Sequence, residues 1–96
     1  MKTYSKMVMR SAENNTFVFK RTLLAVSLLI RESNQDCDHF KSWVISNYYS
    51  KYKNEINYVF NLDFNKNYSD YSIARHLANK IKYQYEEYLY KQQIAV

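Results

Sequence analysis

The sequence predicts an all-α fold, a compact bundle of three long helices preceded by a short N-terminal helix, and three observations lead there. The 96 residues include neither Gly nor Pro, where average usage would supply roughly seven and five. Those two residues provide the positive-φ turns and fixed kinks on which hairpins and bulges depend, so a strand-rich fold is disfavoured. Ten Asn are present, and Asn tolerates the left-handed conformation next best after Gly, so Asn-containing loops can join helices. Finally, apolar residues recur at helical spacing through most of the chain.

The first segment, about Thr3–Ser11, places Tyr4, Met7, Val8 and Ser11 on one helical face before the polar break Ser11–Asn15. The second, about Thr16–Glu32, carries the stripe Phe19, Leu23, Val26 and Ile30. Leu24 and Leu28 lie beside it, and Phe17 and Leu29 on other sides. Apolar residues nearly all round mark a helix surrounded by its neighbours, and Asn15 is its expected N-cap. Thr16-Phe17-Val18-Phe19 has strand propensity, but an isolated strand would lack a pairing partner, so helix is the better reading.

In the third segment, about Asp38–Phe60, Phe40, Val44, Tyr48, Tyr52 and Ile56 repeat every four residues, joined by Trp43 and Val59. Lys41, Lys51, Lys53 and Asn54 fall largely on the other side. Asp36 or Asp38 caps its start, and one amphipathic helix of roughly six turns is expected. Asn61–Ser69 reads as a loop in which Asn61, Asn65 and Asn67 replace glycine and Leu62 and Phe64 plug the bundle. Ser69 or Asp70 then caps a fourth segment, about Asp70–Gln93, with the stripe Ile73, Ala74, Leu77, Ala78, Ile81, Tyr85, Tyr88 and Leu89.

Within that segment Ser72–Leu77 resembles six residues of the first helix of a helix-turn-helix motif. The period, however, continues through Ile81 and Tyr85, and Gln84 falls near the expected apolar anchor, so one uninterrupted helix is the reading. Residues 1–96 form a single domain by length, and the short loops suit antiparallel neighbours.

The net charge of +5 favours an anionic partner: nucleic acid, lipid headgroups or an acidic protein face. The charge is spread along the chain, with no run of five or six like charges. The lone Cys37 excludes an intrachain disulfide and a four-cysteine zinc site, and it fits a reducing cytoplasm. The longest apolar stretch, Leu23–Ile30, falls far short of the roughly 20 residues needed to cross a bilayer. Lys20 and Arg21 imitate the charged start of a signal peptide, yet Arg31-Glu32-Ser33 follows without a small-x-small cleavage pattern. A bacterial cytoplasmic protein without a membrane role is therefore expected. The richness in Asn, Tyr, Lys and Ile is what AT-rich coding produces, which points to a mobile element or phage.

Catalytic and cofactor chemistry finds little support. Asp36-Cys37-Asp38-His39 is the only cluster with metal-ligand chemistry, and a zinc site wants three or four ligands while His76 lies in another helix. A Cys37–His39 nucleophile pair would lack an orienting third group. The adjacent Glu86 and Glu87 diverge by about 100° on a helix and cannot act as an acid–base pair. Without glycine there is neither a phosphate-cradling loop nor a dinucleotide fingerprint. No enzyme activity, cofactor or metal is expected.

The tyrosines, eleven of the seventeen aromatic residues, carry the functional expectation. Tyr48 and Tyr49, or Tyr83 and Tyr85, point apart on a helix, so some must face solvent, and exposed Tyr beside Lys is a binding-surface composition. The expected function is a non-enzymatic protein-binding module, of the accessory, inhibitor or immunity-protein type. Its partner-binding residues are expected to be Tyr49, Tyr52, Lys53, Arg75, Tyr83 and Tyr90. The alternative is a small basic helical regulator that binds DNA or RNA through Lys51, Lys53, Lys80 and Lys82. Self-association into a homodimer through exposed aromatics is compatible with either.

Overall fold

The two inner helices begin and end where a side chain or a shifted carbonyl satisfies backbone groups left without helical partners. In the computed structural model, which describes residues 2–94, the chain forms α1 (Lys2–Ser11), α2 (Thr16–Glu32), α3 (Cys37–Phe60), a 3₁₀ turn (Phe64–Lys66) and α4 (Tyr68–Ile94). The expected all-α bundle is thus observed, with no strand among the described residues. Asn15 caps α2, its Oδ1 accepting the Val18 N–H at 3.0 Å. Asp36 caps α3 in the same way through the His39 N–H at 3.0 Å.

Asn replaces Gly at one place only. Asn34 holds φ at 56°, the single positive-φ residue among those described. It lets the Gln35 N–H reach back to the Ile30 carbonyl at 3.1 Å, the bond that closes a helix through a left-handed residue. Asn61 and Asn67, expected to substitute for glycine, keep φ at −103° and −131°, and Asn65 has no positive φ either. The amides of Asn61 and Asn67 instead donate to the Asn57 and Asp63 carbonyls, each at 2.7 Å. The fourth helix also starts ahead of the expected Ser69 or Asp70 cap, because the Asn67 carbonyl accepts the Tyr71 N–H at 2.9 Å.

The central element is α2, which packs against α1, α3 and α4. Phe19 and the run from Thr22 to Val26, with Leu28, Leu29 and Ile30, are all buried. Phe40, Val44, Tyr48, Tyr52, Ile56 and Val59 of α3 are buried too, and Phe64 plugs the core as anticipated.

One straight six-turn α3 could not achieve this. A step of four residues turns about 40° beyond a full turn, so Phe40 and Ile56 would point roughly 160° apart on a straight helix. The helix resolves the drift by bending at Tyr52, whose φ of −126° and ψ of 39° leave the helical region. The arms 37–51 and 53–60 fold back, bringing the Phe40 and Phe60 rings to 6.5 Å; in a straight helix those residues would be about 30 Å apart. The return arm leads the chain through the 3₁₀ turn into α4, which packs against α2. Leu77 borders Phe17–Thr22 near the start of α2, and Tyr85 borders Leu29 and Ser33 near its end. The single amphipathic helix of roughly six turns expected over about Asp38–Phe60 is thus replaced by two arms.

Only Ala74, Ala78 and Ile81 of α4 are fully buried. Ile73 and Leu89, expected in its buried stripe, are exposed, since small side chains let α4 approach α2 too closely to enclose residues on either flank.

The bend is tied to the turn between α1 and α2 through Glu13. The Tyr48 hydroxyl donates to the Glu13 carboxylate at 2.9 Å. The Tyr52 hydroxyl and the Lys51 ammonium donate to its backbone carbonyl at 2.5 and 3.1 Å. Burial, and then the bond to Glu13, push the Tyr48 phenol up to about 12. Unfolded tyrosine ionises near pH ~10, so this contribution to stability is whole below that pH and is lost as pH rises toward 12. From this residue the loss is on the order of 1–2 kcal/mol. Urea unfolding across that window is expected to depend less steeply on pH in Tyr48→Phe than in the native chain, and identical slopes would refute the assignment.

Candidate binding groove

The first turn of α2 follows directly from its Asn15 cap, so Phe17 and Val18 project from the helix start before the three neighbouring helices close around it. Phe17 is 65% exposed and Val18 45%, the two apolar residues of α2 that lie in solvent. Together with Val18, Arg21, Thr22 and Leu77 of α4 it lines a groove of about 220 Å³.

The groove is also cationic. The Arg21 guanidinium lies 5.3 Å from the Phe17 ring centre, and its buried Nε has no hydrogen-bond partner. One residue earlier, the Lys20 ammonium sits 4.2 Å from the Tyr58 ring centre, while the Tyr58 hydroxyl donates to Asp70. Among the described residues the ion pair found is Arg75 with Glu32, so no carboxylate neutralises Arg21. The arrangement offers an apolar floor with an unpaired cation at its edge.

The residues expected at an interface divide between several surfaces. Tyr52 is excluded. It is 2% exposed, stacks on Phe19 with ring centres 4.1 Å apart and spends its hydroxyl on Glu13. Arg75 is committed to Glu32 and to Asn79, and the Glu32 bond holds its guanidinium pKa above the ordinary value. Tyr49 is half-buried against the core and accepts the Asn57 amide at 3.2 Å. Lys53 is exposed on α3, whereas Tyr83 and Tyr90 are exposed on α4; these two helices flank α2 and share few direct contacts.

Nor do the four lysines of the alternative reading assemble. Lys51 lies over the Tyr52 ring at the Glu13 turn, beside the start of α2, while Lys82 borders a cleft with Glu32 and Ser33 at its far end. Lys80 and Lys82, two residues apart, point to opposite sides of α4.

Asp36 is occupied as a cap and Cys37 is an unpaired, half-buried thiol. Among the described residues no group of three His, Cys, Asp or Glu could hold a metal ion. No helix is long and apolar enough to cross a membrane.

Sequence reasoning missed Phe17 and Val18 as functional candidates, although Phe17 had been placed off the main stripe. That offset was the available signal: on a short first turn, a large apolar residue away from the stripe has nothing to cover it. No protein-family model, curated protein or solved structure matches the chain.

Proposed function

We propose that this chain works without catalysis, as an accessory, inhibitor or immunity-type protein that binds a partner protein through the groove between the start of α2 and α4. The observation that carries this reading is the exposed Phe17 beside Val18, Leu77 and the unpaired Arg21. Exposed apolar strips of this kind on a small domain mark interaction sites, and aromatic and Arg side chains are the usual anchors of an interface. Covering a Phe side chain contributes roughly 1.5–3 kcal/mol. The partner that fits presents apolar side chains next to a carboxylate, which would pair with Arg21.

The test is a pull-down with the tagged chain from its native host, half of it nuclease-treated, repeated with Phe17→Asp. An acidic residue in the first turn suits the helix dipole, so this variant keeps its fold, as circular dichroism can verify. The expected result is one protein retained stoichiometrically in both halves and bound at least tenfold more weakly by Phe17→Asp. Equal retention by the variant would remove the groove from the reading. Recovery of nucleic acid alone, with affinity falling steeply with salt, would transfer the function to the basic regulator.

A further inference from the structure

The side of α4 turned away from the bundle has an order of its own. Ala74, Ala78 and Ile81 are buried, and Tyr85 and Tyr88 are half-buried beside them. Opposite them lie Ile73, His76, Lys80, Tyr83, Glu87, Tyr90 and Ile94, all exposed. Their spacing alternates three and four residues through three heptads, the repeat that forms a seam between paired helices. Tyr83, Tyr90 and Ile94 are 63%, 64% and 65% exposed, so large apolar groups sit in solvent at regular intervals along this seam.

Its charges indicate what covers it. Lys80 and Glu87 stand at equal distances from the midpoint between Tyr83 and Gln84, as do Ile73 and Ile94. Two copies of α4 placed antiparallel about that midpoint therefore set each Lys80 against Glu87 of the second copy and each Ile73 against Ile94 of the second copy. The two Tyr83 rings meet at the centre. A parallel pairing would set Lys80 against Lys80 and Glu87 against Glu87, which is repulsive. The antiparallel contact is the same patch on both copies, so it closes as a two-fold dimer and does not propagate.

We propose that two copies of this chain associate through the outward seam of α4, antiparallel, with Tyr83 at the two-fold axis and a Lys80–Glu87 ion pair on each side. The seam is separate from the groove at Phe17, Val18 and Arg21, so one dimer would carry two grooves.

Sedimentation velocity of the purified full chain, over micromolar to several hundred micromolar concentrations, tests this. A concentration-dependent dimer is expected. Lys80→Glu or Glu87→Lys alone is expected to weaken it at least tenfold, because each puts like charges face to face. Both residues are exposed and both replacements are good helix formers, so neither change threatens the fold. The double variant Lys80→Glu/Glu87→Lys is expected to restore the dimer. Mixing the two single variants is expected to yield a heterodimer, since each then supplies the other's missing charge. A chain that stays monomeric throughout the range overturns the proposal. So does a double variant no better than the singles, or a mixture that fails to pair. Phe17→Asp is expected to leave dimerisation unchanged, which separates failure of the seam from failure of the groove.

Discussion

Phe19→Ala lowers the free energy of unfolding by about 3–5 kcal/mol, the range for removing a buried aromatic ring. Phe19 is wholly buried, and its ring is stacked on Tyr52 at 4.1 Å and set edge-on to Tyr48 at 5.2 Å. Those two tyrosines also hold Glu13, so the truncation leaves a cavity beside the very residue at which α3 bends. Domains of this size have roughly 5–15 kcal/mol in total, and the variant is expected to retain a small part of that. Urea denaturation followed by far-ultraviolet circular dichroism would measure it. A loss below about 1 kcal/mol, far under the cavity range, would mean that the stack on Tyr52 does not support the bend.

Ala78→Leu is the second large effect, and it acts by excess volume. Ala78 and Ala74 are completely buried where α4 lies along α2, and a methyl group is all that fits. Three added carbon atoms must push α4 outward or force strained rotamers, at a cost of about 1–3 kcal/mol. The same change at Gln84, on the solvent side of α4, is expected within about 0.5 kcal/mol of the native chain. Thermal unfolding of the pair would show whether close approach to α2, and not helix propensity, sets the tolerance at position 78. Equal midpoints would rule out the tight contact.

Local chemistry made most of this fold legible in the sequence. Asn15 and the all-round apolar run after it marked α2 as the enclosed helix, and Asp36 marked the start of α3. The continuous period through Ile81 and Tyr85 distinguished α4 from a helix-turn-helix. What escaped is tertiary. The strict four-residue repeat of α3 carried the clue to its bend, because such a repeat cannot keep one face on a straight helix of 3.6 residues per turn. Tyr52 belonged to that same repeat, so its burial could have been read there, whereas tyrosine abundance pointed to the surface. Tyr83 and Tyr90 were placed outside correctly, because they lie opposite Ala74, Ala78 and Ile81. The groove at Phe17 depends on which neighbour leaves the start of α2 uncovered, and only the packed arrangement decides that.

The three bonds that grip Glu13 come from residues 35, 38 and 39 positions further along the chain. Closing loops of that size costs entropy before any contact can repay it. The clasp on Glu13 can therefore close only after α3 has formed and bent, whereas α1 meets α2 across a turn of four residues and needs no such wait.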